Sequence, residues 1–393
     1  MADYARPAVE RAMKVQEVIL RAISGQVMWM EAAEILGVSC RTMRRWRWRY
    51  EHYGYDGLFD HRRQQPSPRR VPLEVVQKVL RLYRQEYEGF NVKHFHEDLV
   101  EVHGMGLSYQ WVKTALQTAG LVRRHTKRGV HRRRRERRAL VGMMLYCDGS
   151  THQWIPALEG QRQDLILLAD DANNEAYAAY LVKEEGTLSV LGGIKQVVEQ
   201  QGLFCSLYTD RGSHFFHTPK AHQPVDKGQR TQIGRALQQL GIEHIPSYSP
   251  QGRGRIERMF STWQGRLPQE LKRAGIQTME EANAYIRETF LPKINHLFTV
   301  ATREEGSAFV PYQGADLDGI LCVQHDRMVQ ADNTVQFGTR RLQIEPSRWR
   351  WSFAKCQVKV CEHLNGTVSI RYGPHVIGRY DAEGRRIEKE QVA

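Results

Sequence analysis

The chain lacks the features that would suit it to an oxidising or a lipid environment. Its six cysteines, Cys40, Cys147, Cys205, Cys322, Cys356 and Cys361, are scattered and include no Cys-x-x-Cys pair, so neither a disulfide framework nor a zinc site is expected. No apolar run approaches membrane-spanning length, and the opening Met-Ala-Asp-Tyr-Ala-Arg has no apolar core of a secretion signal. A cytoplasmic, nucleoid-associated protein is expected. The composition, 41% hydrophobic and 26% charged, excludes disorder as the general state. What the last two thirds lack is any excess of one charge. Residues 1–140 hold 28 Lys and Arg against 15 Asp and Glu, while residues 141–393 hold 29 of each, so the whole net charge of +13 sits at the front. A basic module ahead of a neutral remainder fits binding to a polyanion that weakens steeply with salt.

Residues 1–62 read as a helix-turn-helix domain. Met30 to Leu36 has the spacing of a short amphipathic helix, Gly37-Val38-Ser39 forms a tight turn with a capping serine, and a second helix runs from Cys40 to Tyr53. That helix carries Arg41, Arg44, Arg45, Arg47 and Arg49 with Trp46 and Trp48 between them, which suits one packed face and one face turned to double-stranded DNA. A solvated basic helix would show the arginines without the turn and cap. Two prolines and four arginines between His61 and Arg70 mark a break. Residues 63–122 read as a second helix-turn-helix-like domain, its last helix capped by Ser108 and ended by Gly120, or alternatively as a packing unit. Residues 123–140 are a basic linker. Arg123, Arg124, Lys127, Arg128, Arg132, Arg133, Arg134 and Arg135 belong to a run too densely charged to fold on itself and suited to phosphate contact.

Over residues 141–300 the periodicity changes to three strands and then alternating helix and strand: strands at 143–147, 164–169 and 176–182, a helix at 187–201, a strand at 204–209, a helix at 229–240, a strand at 243–246 and a helix opened by Ser249-Pro250. This order predicts a mixed five-stranded sheet with helices on its faces, as in α/β ribonuclease H-like cores. Asp148 closes the first run, Asp210 closes the fourth, and Glu257 lies on the last helix. If those strands are neighbours and the helix packs beside them, three carboxylates converge. Hard oxygen donors of this kind suit Mg²⁺ or Mn²⁺ and chemistry on phosphodiesters.

Each acid alone has a plainer reading. Asp148 could be a strand-end turn residue, Asp210 a turn former before Arg-Gly, and Glu257 the partner of Arg253 in an exposed helical ion pair. Their order and flanks favour the catalytic reading. Asp170 and Asp171 compete as ligands, but an antiparallel second strand would end at the opposite edge. His214 and His217 read as loop histidines, and Arg211, Arg255 and Arg258 as charges able to steady a scissile strand. Over residues 301–393 apolar residues alternate between turn signals such as Asp332-Asn333 and Asn365-Gly366, predicting a small all-β barrel.

At Asp148, Thr209-Asp210-Arg211-Gly212-Ser213 and Ser249 to Phe260, the chain resembles DDE transposases and retroviral-type integrases, most of all bacterial insertion-sequence transposases of the ISNCY type. The resemblance covers essentially the whole chain, and Gly254-Arg255-Ile256-Glu257-Arg258 is among its most specific parts. It implies a multidomain polynucleotidyl transferase and endonuclease in which Asp148, Asp210 and Glu257 bind two Mg²⁺ ions, with Mn²⁺ able to substitute. It also implies binding to the terminal inverted repeats of an element and to target DNA, and work as a homo-oligomer. The 46 residues between Asp210 and Glu257 exceed the spacing of many integrases, and Phe215 to Arg230 reads as the loop insertion responsible. A catalytically silent, domesticated DNA-binding regulator is the alternative. A general ribonuclease H-like nuclease would leave the two reading modules unexplained.

Overall fold

The computed structural model describes residues 6–60, 70–124, 135–217, 225–226, 228–248, 250–347 and 350–387. They fall into two units, Met1–Val79 and Leu80–Ala393.

In the first unit, α1 (Arg6–Ile23), α2 (Trp29–Ile35) and α3 (Cys40–Tyr53) enclose a core of Val15, Val18, Ile19, Ala32, Ala33 and Met43. Gly37 takes φ of +61° in the turn, a conformation costly for any residue with a Cβ. The Ser39 hydroxyl accepts from the Thr42 amide at 3.2 Å, so one free donor at the start of α3 is satisfied. Trp46 packs on this core, whereas Trp48 is exposed and stacks on His52. The boundary between units falls within α4 (Leu73–Gln85).

The second unit opens with α5 (Val92–Glu101) and α6 (Tyr109–Thr118), capped by Asn91 and Ser108. The sheet that follows has the order β3-β2-β1-β4-β5. Its first three strands, β1 (Leu145–His152), β2 (Gln163–Asp170) and β3 (Ala176–Val182), pair antiparallel, and β1 then pairs parallel with β4 (Ser206–Thr209), which pairs parallel with β5 (Glu243–Pro246). This is the expected mixed sheet. Every residue of β2 is buried, as its unbroken apolar centre requires of a strand covered on both faces. Leu145, Cys147, Ile166 and Leu168 pack with α7 (Thr187–Gln200) and α8 (Gln232–Gln239) on one face. Met144, Tyr146, Leu165 and Leu167 pack with α9 (Pro250–Gln264), α10 (Leu267–Arg273), α11 (Met279–Tyr285) and α12 (Leu291–Phe298) on the other.

The helical pair α5–α6 is fastened to this core by buried charge. Glu270 on α10 meets His94 at 2.8 Å, Lys293 at 2.7 Å and the Tyr285 hydroxyl at 3.0 Å, while Arg266 pairs with Glu97 at 2.7 Å and Arg273 with Asp98 at 2.6 Å.

After α13 (Leu317–Ile320), strands β6 (Val323–Met328), β9 (Gln357–Glu362), β10 (Val368–Tyr372) and β11 (His375–Tyr380) form a four-stranded antiparallel sheet. The hairpin of β7 (Thr334–Phe337) and β8 (Arg340–Gln343) is a separate sheet sharing its core through Val335, Leu342, Val360 and Ile370. The expected barrel is therefore an open all-β domain. Glu345-Pro346 interrupts the ladder after β8, and among the described residues β8 pairs only with β7, so closure does not follow from the alternating pattern.

Candidate active site

The parallel pairing of β1 with β4 sets Leu145 opposite Leu207 and Tyr146 opposite Tyr208. Carried two residues further, this register puts Asp148 level with Asp210, and strand alternation turns both toward the face covered by α9. Asp210 directly follows β4, as expected. Asp148 does not end its strand: β1 runs on to His152 because Gly149 to His152 stay paired with β2 after β4 has stopped. Asp148 thus lies mid-strand, where the sheet loses its neighbour on one side.

Asp210 is fixed by a local turn. Its Oδ1 accepts from the Gly212 amide at 2.8 Å, and a Cβ at Gly212 would lie 3.0 Å from that oxygen and 3.1 Å from His214. Helix α9 approaches through Gly252, where a Cβ would sit 2.1 Å from the Tyr208 hydroxyl, itself 2.9 Å from Ser247 Oγ. Ile256, Phe260 and Trp263 bury the helix against the sheet. Arg253, one turn before Ile256 on the same stripe, sends its guanidinium between the two aspartates. It pairs with Asp148 Oδ2 and stands 3.7 Å from Asp210 Oδ2. Glu257 is exposed one turn further on, and its charge, with those of both aspartates, acts on Arg253.

Burial pushes the Asp148 carboxyl up to about 6; Arg253 opposes this, and the charges of Asp210 and Glu185 add to it. Burial alone would lower the Arg253 guanidinium, but Asp148 leads the groups that carry it above its ordinary value. Glu185 is a fourth acid that the sequence pattern did not single out. It follows β3, lies 3.3 Å from His214 Nε2, and occupies the space over Gly149, where a Cβ would meet its Oε2 at 2.2 Å. The requirement for glycine beside Asp148 is the only trace it leaves in the sequence.

Among the described residues no group of three His, Cys, Asp or Glu side chains is arranged to hold a metal ion. The donor set is nevertheless chemically suited to one: Asp148 and Asp210 already share a cation, and that cation is the guanidinium of Arg253.

The other candidate residues are placed as follows. Asp170 and Asp171 lie at the far end of β2, with Asp170 opposite Leu145 and Asp148 opposite Leu167, so they are not ligands of this site. The buried Asp171 instead accepts from the Tyr146 hydroxyl at 2.7 Å and the Arg138 amide at 2.8 Å, and pairs with Arg135 and Arg255. Arg255 is therefore turned away from the carboxylates, and Arg135 is committed to Asp171 and Tyr146 rather than free for phosphate, because a fully buried charge at Asp171 demands both partners. Arg211 lies over the Tyr248 ring at 5.3 Å, the His214 ring sits tilted at 45° against Phe215, and Arg258 is exposed. On α3, Arg41, Arg44 and Arg45 are exposed, Arg49 is half-buried, and Arg47 pairs with Glu51 at 2.7 Å across the face of Trp29. Arg123 and Arg124 are exposed. Lys127, Arg128, Arg132, Arg133 and Arg134 lie outside the described residues, as does part of the Phe215 to Arg230 insertion.

Residues 16–67 match a helix-turn-helix domain family. Along nearly its whole length the chain is similar to transposases. It is 27% identical over 93% of its residues to 80% of the transposase candidate y4bF of Sinorhizobium fredii, and 26% identical over 90% of its residues to 82% of the transposase for insertion sequence IS1202 of Streptococcus pneumoniae. These likenesses are to transposases along most of the chain, with a helix-turn-helix domain at its front. Solved structures similar to it include the magnesium complex of the HTLV-2 integrase catalytic core domain, 16% identical over 42% of this chain and 97% of that one with a TM-score of 0.31. Another is a simian T-cell lymphotropic virus intasome with the PP2A regulatory subunit B56 gamma, 14% identical over 71% of this chain and 97% of that one with a TM-score of 0.33.

Proposed function

We propose that the chain is a DNA transposase that nicks the ends of an insertion sequence and joins the freed 3′-hydroxyls to target DNA, with Asp148, Asp210 and Glu257 as its catalytic acids. The observation that carries this reading is the β1–β4 register, which levels Asp148 with Asp210 beneath the helix bearing Glu257. The three carboxylates would hold divalent metal, Mg²⁺ or Mn²⁺, which when bound makes water or a hydroxyl a stronger nucleophile and stabilises the leaving oxygen. Both steps balance without a covalent protein intermediate. The first adds water across a phosphodiester and leaves a 3′-hydroxyl; the second exchanges one phosphodiester for another as that hydroxyl attacks. Asp148 is fixed by the sheet and Asp210 by the turn after β4, so they set the position of the reacting phosphorus, and Glu257 approaches from a helix whose start is pinned at Gly252. The exposed arginines of α3 read the element ends, and two ends joined to one target call for more than one copy of the chain on DNA.

The one observation that favours a silent regulator is the Arg253 guanidinium seated on Asp148. A strand-transfer assay in Mg²⁺, on labelled DNA carrying the flanking ends of the source element, separates the readings. Joined product from the wild type and none from Asp210→Asn, with end binding retained, is the expected result. Specific binding without product from either protein would make the chain a silent regulator.

A further inference from the structure

The carboxylates of the site belong to the reading above, but the group lodged between them does not. Arg253 is charged at any accessible pH, stands on the helix that carries Glu257, and spans Asp148 and Asp210 with its two terminal nitrogens. No ordinary packing role explains this placement. Ile256, Phe260 and Trp263 already bury α9, and an arginine that served only to cover apolar surface would extend its guanidinium to solvent. Four carboxylates, Asp148, Asp210, Glu185 and Glu257, act at this place, and Asp148 is buried among them. Without a cation such a group of like charges repels itself.

The way out for the guanidinium is open. Its side chain retains 29% of its exposure, so solvent already reaches it. Gly252, immediately before it, fixes the backbone against Tyr208, so the side chain can leave while the helix start stays.

We infer that Arg253 is an internal counter-ion that occupies the metal seat of the free protein and must be displaced before a divalent ion can bind to Asp148 and Asp210. It keeps the carboxylates assembled while no metal is present, and it makes metal loading a competition rather than a simple filling of a vacant site. On leaving, the guanidinium becomes available to a phosphate oxygen of the DNA strand. This inference rests on the assignment of Asp148 and Asp210 as metal ligands, and its test separates the two.

The measurement is Mn²⁺ binding by the full chain without DNA, read from the loss of the free-ion electron paramagnetic resonance signal, alongside amide hydrogen exchange along β1 and α9 with and without Mn²⁺. Arg253→Gln is expected to bind Mn²⁺ on the order of tenfold more tightly or better, since a unit positive charge within contact distance of both ligands has been removed. It should also exchange amides faster along β1 and α9 than the wild type without metal and gain more protection from Mn²⁺. Arg253→Lys, which keeps the charge but cannot bridge two carboxylates, should fall between the two and serves if the glutamine variant fails to fold. Unchanged or weaker Mn²⁺ binding in a folded Arg253 variant, with binding abolished by Asp210→Asn, would overturn the counter-ion role and leave the site standing. Mn²⁺ binding that survives Asp210→Asn would overturn the site itself.

Discussion

Glu270 is where the attachment of α5 to the catalytic core can be measured. Its carboxylate is buried and receives His94, Lys293 and the Tyr285 hydroxyl. Burial alone would raise its pKa, but hydrogen bonds from His94 and Lys293 and the charge of Lys293 bring it from 4.5 down to about 2. A carboxylate held below its unfolded value stabilises the fold above pH 4.5 and loses that contribution as the pH falls from 4.5 toward 2. The gap corresponds to on the order of 3 kcal/mol at neutral pH. Glu270→Gln keeps the volume and removes the charge, leaving Lys293 with Asp98 at 3.7 Å and His94 beside a neutral amide. The variant should therefore lose about 2–3 kcal/mol at neutral pH, and the difference from the wild type should shrink below pH 4.5. Asp148 and Asp170, both raised to about 6, favour the fold as the pH falls, but they are common to both proteins and cancel in the difference. Because a chain of several units does not unfold in one step, the assay is amide hydrogen exchange along α5 and α10 rather than a global melt. Equal protection in the two proteins at neutral pH, or a gap independent of pH, would refute the reasoning.

Other outcomes follow from single contacts. Gly252→Ala should displace the start of α9 and cut joining activity strongly, and Tyr208→Phe, which removes the hydroxyl lying 2.1 Å from the new Cβ, should restore part of it; no restoration would mean that the clash is not the cause. Asp171→Asn should destabilise the core by about 3 kcal/mol and release protection at the Arg138 amide, because Arg135 and Arg255 lose the carboxylate they share; normal exchange at that amide would count against this. Arg44→Ala and Arg45→Ala should each weaken binding to all DNA sequences and flatten the salt dependence by about 0.9 in log-log slope if they contact phosphate, whereas a sequence-selective loss with unchanged slope would assign them to bases. A chain beginning at Ala139 would lose His94, Glu97 and Asp98, strip Arg266 and Arg273 of their carboxylates and Glu270 of its histidine, so it should be unstable; one beginning at Val71 should fold and lose specific binding alone.

What could be read in the sequence was governed by apolar pattern. The bounds of β3 and the body of α7 follow from runs of Val, Leu, Ile and Ala between turn residues, and Asp148 and Asp210 stand out because each interrupts or ends such a run. Where closure depends on which edges meet, the pattern is silent, so the alternating residues after 323 gave strands without revealing that β7 and β8 stay apart from the four-stranded sheet. Charge was the harder part. Glu270, Arg266 and Asp171 look like surface residues until their distant partners are in place, since each is buried only because a residue far along the chain neutralises it. Arg253 is the instructive case. Paired with Glu257 at helical spacing it reads as an ordinary exposed ion pair, yet positions 253, 256, 260 and 263 form one stripe whose other three members are buried. A charged residue on the buried stripe of a helix must either meet an opposite charge beneath it or break the packing. Had that rule been applied at Arg253, the sequence alone would have pointed to carboxylates under the start of this helix, and so to the convergence of Asp148 and Asp210 that the sheet register produces.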